Sequence, residues 1–339
     1  MSGAFVPYQL RINKAVDRHL FIEAIQRIAR LLSLDLRRYG YVGMGGPFLE
    51  DFRLVYASLE ITNLLSLETS QAVVQRQEFN KPLAFIQCKC MSTGDYVTQF
   101  NPDGPLIIWF DYTDPQKIGV QIREVQGLIA KLQCHDILKI TVNANVRTLG
   151  EEGAGKKADK TDDIAEQRQM ELKRRLGEYY IQDLTKDDFQ PKRYPATLFK
   201  IFKYALGKGM EGRSEIFVPL TAFTYNDYMH PMLSFSGIIC LDDERSRIVE
   251  EVASWPFRQP GPSVGDLWGD PQPIRVPNLS LRERLAIEQK LPKLVDQTVD
   301  SVAKEFAFVV EGMSTEPATA IRDYATYARY LPYLVQVIF

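Results

Sequence analysis

The sequence is poor in the residues that build metal centres, disulfide frameworks and membrane spans. It has four cysteines (Cys88, Cys90, Cys134 and Cys240) and three histidines in 339 residues. Cys88 and Cys90 alternate along one apolar run, but no second pair and no nearby histidine completes a zinc-type spacing. The cysteines are therefore read as structural thiols in a reducing, cytoplasmic setting, and no metal is expected. No run of about 18 apolar residues occurs, so no membrane-spanning helix is expected. The first residues, MSGAFVPYQLRINKAVDRHLF, lack a basic stretch followed by an apolar core, so a secretory leader is not expected either. A formal net charge of −2 gives no general attraction to nucleic acid or anionic lipid. The P-loop pattern G-x-x-x-x-G-K-[ST] is missing, which excludes that way of holding a nucleotide.

What is present is an alternation of two periodicities. Lys14–Leu32 repeats apolar residues at helical spacing, and Tyr39–Gly46 is a short apolar run ending in glycines. Then come a helix over Phe48–Leu59, a strand over Asn63–Glu68, a helix over Gln71–Phe79 and a strand over Ala84–Met91. A nearly all-apolar strand over Pro105–Tyr112, a helix over Ile118–Leu132 and a strand over Ile137–Val142 follow. Strands alternating with helices of this length argue for a parallel sheet with crossover helices on both faces. Glu215–Thr224 and Met232–Leu241 are strands joined by a link too short for a parallel crossover, hence an antiparallel hairpin. The expected fold is α/β and Rossmann-like: a mostly parallel seven-stranded sheet ending in that hairpin, with a helical C-terminal extension.

Three units are expected along the chain. Residues 1–34 form an N-terminal helical segment, 35–245 the α/β domain with an insertion at about 149–194, and 246–339 a mainly helical extension. That extension has helices over Ser280–Leu291, Val295–Glu311 and Glu316–Tyr330 after an irregular stretch, Trp255–Pro277.

Candidate chemistry collects at strand ends. Gly43, Gly45 and Gly46 follow the first strand, where glycines permit a sharp turn and close approach of a ligand to backbone. Glu68 ends the second strand, 22 residues after Gly46, placed to accept hydrogen bonds from ribose hydroxyls. Gly94-Asp95 follows the third strand, and Asp111-Tyr112 ends the fourth. All four landmarks lie on the carboxyl edge of an open parallel sheet, where ligands bind. Glu50 and Asp51, in the first turn after the glycines, would repel a pyrophosphate, and Phe48 breaks G-x-G-x-x-G. A cofactor without phosphates fits better than NAD.

With these residues in place, the chain resembles the class I S-adenosylmethionine-dependent methyltransferases, over roughly residues 35–245, and uncharacterised bacterial O-methyltransferases among them. The glycine turn, Glu68, Gly94-Asp95 and the Asp111 strand correspond to that family's motifs I to IV, and the 215–241 strand pair to its final hairpin. The resemblance implies S-adenosylmethionine held by Gly43, Gly45, Gly46 and Glu68, with Asp95 near adenine. Asp111 then positions the methyl acceptor, with Tyr112 and Asn143 lining the site. Two departures matter. Tyr41-Val42 stands where the family usually has an acidic residue, and Asp-Tyr-Thr-Asp is not the signature of base N-methylation. Strand five ends in Asn143-Ala144-Asn145 with no carboxylate, so a catechol-type magnesium site is not expected. A catalytically inactive methyltransferase-like binding module is the alternative reading.

The basic residues Lys173, Arg174, Arg175, Lys192 and Arg193, within 168–193, can touch nucleic acid, but interspersed acids favour a solvated face. Tyr324, Tyr327, Tyr330 and Tyr333 recur like a helix stripe that packs on the main domain, or on a protein partner or second copy.

Overall fold

The computed structural model describes residues 11–150, 161–227, 230–255, 257, 268–291 and 317–331. The expected helix over Val295–Glu311 and Tyr333 lie outside the described residues.

The chain begins with α1 (Ile12–Leu32) and enters β1 (Gly40–Gly43). There follow α2 (Glu50–Leu59), β2 (Asn63–Glu68), α3 (Gln71–Asn80), β3 (Ile86–Cys90), α4 (Thr93–Thr98) and β4 (Leu106–Tyr112). The second half runs α5 (Ile118–Ile129), β5 (Ile137–Asn143), α6 (Thr161–Leu176), α7 (Tyr194–Met210), β6 (Ile216–Asp227), β7 (His230–Cys240) and α8 (Arg245–Ala253). The described remainder contains β8 (Gln272–Pro273), α9 (Leu281–Glu288) and α10 (Pro317–Tyr327).

These strands form one sheet in the order β3-β2-β1-β4-β5-β7-β6-β8. β1 pairs in parallel with both β2 and β4, so the chain order reverses at the β1–β4 seam. β7 inserts antiparallel between β5 and β6. The sheet has eight strands where seven are expected. The extra one, β8, adds two residues in parallel to the edge strand β6. A two-residue strand shows no periodicity, and it falls in a stretch read from its prolines as irregular.

Side-chain alternation divides the core in two. On one face Tyr41, Ile107 and Trp109 pack under α1, α2 and α8. On the other Val42, Ile108, Phe110 and Tyr112 pack under α5, α6 and α7. In the 149–194 segment, Leu172, Leu176, Tyr179, Leu184 and Phe189 are buried in this second cluster. The approach is close enough that a Cβ on Gly119 of α5 would strike the Arg175 carbonyl at 2.0 Å. Tyr324, Tyr327 and Tyr330 are buried in the first cluster, so within the described residues this stripe packs inward. Tyr327 stacks on Phe257 with centroids 5.6 Å apart, and the Tyr330 hydroxyl donates to Glu23 of α1 at 2.5 Å. Among the described residues no helix is long and apolar enough to cross a membrane.

Candidate active site at the carboxyl edge of the sheet

β1 ends at Gly43, and a 3-10 turn over Gly46–Phe48 leads to α2. The protein itself accounts for all three glycines. A Cβ on Gly43 would lie 2.8 Å from the Tyr41 hydroxyl, and one on Gly45 would lie 2.5 Å from Leu49 and 2.6 Å from Phe52. Gly46 adopts φ +53°, a left-handed conformation that glycine takes without cost. The Gly45 amide donates to Ser66 Oγ of β2 at 3.3 Å. From α3, Gln77 Nε2 donates to the Gly46 carbonyl at 2.7 Å and Asn80 Nδ2 to the Pro47 carbonyl at 2.9 Å. The turn is thus fixed from two sides.

The register places the remaining landmarks. Gly43 lies beside Ser66 of β2 and Trp109 of β4. Glu68 and Asp111 each stand two residues further on, along the strands flanking β1. With strands about 4.8 Å apart, their backbones are separated by roughly 10 Å across the glycine turn. Trp109 also pairs with Lys139, and Asp111 with Thr141 of β5. By parity, Gly43, Glu68, Asp111 and Asn143 all belong to the sheet face covered by α1 and α2. Tyr112 does not.

Each predicted residue has a definite local role. Glu68 Oε1 accepts from the amides of Thr69 and Ser70 at 2.8 and 3.1 Å, and among the described residues Oε2 has no partner. Gly94 and Asp95 lie in the first turn of α4. Ser92 caps that helix, accepting from the Asp95 amide at 3.0 Å and donating to the Asp95 carboxylate at 2.6 Å. A six-residue helix is too short to show apolar periodicity. Asn143 Oδ1 accepts from the Asn145 amide at 2.9 Å. Tyr112 is buried on the opposite face, where its hydroxyl donates to Glu124 of α5 at 2.8 Å. Burial pushes that phenol well above its ordinary pKa.

Asp111 is the node of a charged seam that sequence reasoning missed. Lys14 of α1, itself 2% exposed, donates to Asp111 Oδ2 at 2.5 Å. Asp111 Oδ1 is buried and, among the described residues, has no hydrogen-bond partner. One turn along α1, Asp17 takes the Lys139 ammonium at 2.8 Å with both side chains fully buried, and accepts from Ser234 Oγ at 3.2 Å. Lys139 also lies 4.8 Å from the ring centres of Phe21 and Trp109. Burial lowers its pKa, and the Asp17 carboxylate opposes that shift. Arg18 pairs with Asp51 of α2. Tyr41, standing where an acidic residue was expected, is fully buried against Asp51, Arg18 and Asp111, and its phenol is raised well above the ordinary range by burial. Because Asp51 is neutralised by Arg18, its repulsion of a pyrophosphate, invoked against NAD, is removed. A sequence signal did exist: Lys139 interrupts an otherwise apolar strand, which demands a buried counter-charge.

A reversal of strand order beside a glycine turn, a carboxylate ending the next strand and an antiparallel β7 between β5 and β6 define the class. This is a Rossmann-like domain of the S-adenosylmethionine-dependent methyltransferase type. The chain belongs to the family described as "Putative O-methyltransferase", whose match spans residues 6–339. No curated protein matches it. Among solved structures, an O-methyltransferase from Bacillus cereus in complex with S-adenosylhomocysteine is 12% identical. The similarity covers 63% of this chain and 80% of that one, at a TM-score of 0.34. The N-methyltransferase NodS from Bradyrhizobium japonicum, also with S-adenosylhomocysteine, is 9% identical over 63% of this chain and 85% of that one, at 0.33. Methanococcus jannaschii fibrillarin, a pre-rRNA processing protein, is 11% identical over 60% and 68%, at 0.34. Similarities this distant do not bear on the acceptor.

Proposed function

We propose that this protein transfers the methyl group of S-adenosylmethionine to an oxygen of an acceptor at the carboxyl edge of β1, β2 and β4. The observation that carries this reading is the shared face: Gly43, Glu68 and Asp111 flank the seam where strand order reverses, the usual ligand crevice of doubly wound sheets. Residues 35–245 carry the reaction, while α1 and the helices after 246 brace the sheet.

The donor set suits the cofactor. Glu68 Oε2, without a partner among the described residues, is available to two ribose hydroxyls, and its Oε1 is already anchored by two amides. The turn at Gly43, Gly45 and Gly46 brings backbone to the crevice, and Asp95 in the first turn of α4 stands on the adenine side. S-adenosylmethionine supplies a methyl group already activated on a sulfonium, so the protein has chiefly to align the acceptor and take up its proton. Asp111 does the aligning. Its Oδ2 is held by Lys14, and Oδ1, buried without a hydrogen-bond partner among the described residues, leaves a demand for a donor at this strand end. Asn143 closes the crevice at the next strand end, and Tyr112 acts from behind the sheet by holding Glu124. Four free cysteines support a reducing, cytoplasmic compartment.

Calorimetric titration with S-adenosylmethionine, S-adenosylhomocysteine and NAD tests the cofactor. Glu68→Ala should weaken binding of the first two by about 10–100-fold, as expected for loss of hydrogen bonds to a charged group. NAD binding in their place would overturn the assignment. Labelled-methyl transfer into small-molecule extracts then separates enzyme from binding module. Asp111→Asn should abolish turnover while leaving cofactor affinity within a few-fold.

A further inference from the structure

We propose that Cys134, His135 and Glu244 form a divalent-metal site of the thiolate–imidazole–carboxylate type, suited to zinc, at the amino edge of the sheet. One ligand atom from each residue lies within 4.8 Å of the other two, and all three side chains are half-buried. The site is at the far end of β5 from Asn143. Seven residues at about 3.3 Å each put it roughly 20 Å from the candidate crevice, so it is no part of the methyl-transfer machinery.

Three sequence positions converge here because of the topology. Cys134 and His135 immediately precede β5, and β7 returns antiparallel to end at Cys240 on the same edge. Glu244 closes the 3-10 turn that follows. Its carboxylate is aimed inward: both oxygens lie 3.0 Å from His135 Nε2, and Oε2 also accepts from the Leu241 amide at 3.2 Å. His135 is held in a left-handed conformation, φ +72°, uncommon for non-glycine residues although histidine tolerates it better than most. What imposes it is a pair of backbone bonds to β7, His135 N to Ile239 O at 2.7 Å and Ile239 N to Asp136 O at 2.9 Å. The Tyr39 hydroxyl adds a third contact, donating to the His135 carbonyl at 3.3 Å. The imidazole is thus presented by a fixed backbone.

The donor chemistry selects the ion. One sulfur, one imidazole nitrogen and one carboxylate oxygen match the mixed sets that zinc and cobalt accept, whereas calcium and magnesium want oxygen alone. Zinc bonds of about 2.0–2.3 Å set ligand atoms roughly 3.5 Å apart in a tetrahedron. Binding draws ligand atoms now up to 4.8 Å apart to that spacing. The ion takes the place of the hydrogen bond between His135 Nε2 and Glu244 and of the thiol proton of Cys134, and water takes the fourth position. Bound metal ties the entrance of β5 to the turn between β7 and α8.

Cobalt is the probe. Full-length protein stripped with a chelator is titrated with Co2+, following the thiolate-to-cobalt charge-transfer band, and Zn2+ is then added. One Co2+ per chain with that band, displaced by Zn2+, is expected. Cys134→Ser should lose the band, Glu244→Gln should weaken binding at least tenfold, and Cys88→Ser with Cys90→Ser should change neither. Wild-type protein that shows no band at saturating Co2+ overturns the proposal and leaves His135–Glu244 a plain ion pair. A band that survives Cys134→Ser, or disappears with the Cys88/Cys90 double variant, overturns it as well. Should Cys134→Ser not fold, X-ray absorption of zinc-loaded Cys88→Ser/Cys90→Ser protein decides: one sulfur ligand supports the site, and none refutes it.

Discussion

The two faces of the sheet are built from the same strands and stabilised by different physics. Under α5 and α7 the core is apolar and aromatic: Phe235 lies 5.4 Å from Phe199 and 5.3 Å from Phe202 between ring centres, and Trp268 closes the cluster. Under α1 and α2 the same strands present Asp111 and Lys139, which would be intolerable there without partners. α1, which precedes the alternating strands and helices, supplies Lys14, Asp17 and Arg18 to meet Asp111, Lys139 and Asp51. α1 therefore acts as a charge complement to the face that carries the candidate site. Its removal would leave three buried charges unanswered.

The largest test of that contrast is Lys139→Met. Removing one member of a fully buried pair leaves Asp17 with Ser234 alone among the described residues, at an expected cost of about 3–5 kcal/mol in chemical denaturation. The double variant Lys139→Met/Asp17→Leu should regain most of it, since apolar replacements of buried pairs are near neutral. A single variant that loses under 1 kcal/mol would mean that the charged seam does not hold α1 in place.

Asp136 sharpens the comparison, because it is a buried carboxylate met by amides and, among the described residues, by no cation at hydrogen-bond distance. It is 1% exposed and accepts from the amides of Leu106 and Gln133, both at 2.7 Å. Burial outweighs those bonds and raises its pKa from 3.8 to about 6. The folded state then binds the proton more tightly than the unfolded state. The resulting stability is fully present below about pH 4 and is lost as pH rises through 6. Urea denaturation of wild type and Asp136→Asn across this range should show the wild-type advantage falling by up to about 3 kcal/mol. A constant difference would place the carboxylate in water instead.

Why one face was legible and the other was not follows from distance along the chain. The strand ends at Gly43, Glu68 and Asp111 come from short-range pattern, apolar runs closed by glycine or acid, and the hairpin comes from its short link. Lys14, Asp17 and Arg18 sit on an amphipathic helix, where polar residues are expected to face water. In the structure Lys14, Ala15, Val16, Asp17 and Arg18 are all buried. Lys139 in β5 announced a hidden partner, but that partner lies 122 residues away, beyond any local periodicity. The same holds for His135 and Glu244, 109 residues apart. β8 and α4 were missed for the opposite reason, being too short to carry a pattern. Tyr112 is a different case: it was placed beside Asp111 because the two are consecutive, although adjacent strand residues point to opposite faces.

Tyr112→Phe turns that last point into the smallest and most discriminating measurement. The hydroxyl donates to Glu124 Oε2, which also accepts from Thr93 Oγ1 of α4 at 2.7 Å. Glu124 therefore links α5, β4 and the start of α4, and deleting one of its two donors should cost about 1.5 kcal/mol of stability. The Thr93 bond remains, so α4 stays docked and affinity for S-adenosylmethionine should hold within about twofold. Methyl-transfer kcat/KM at a temperature where both proteins are folded should be similarly unmoved. A fall in kcat beyond tenfold with unchanged stability would show that the phenol reaches the acceptor. The division of labour between an apolar supporting face and a charged reactive face would then be wrong at the one residue pair, Asp111 and Tyr112, where the two meet.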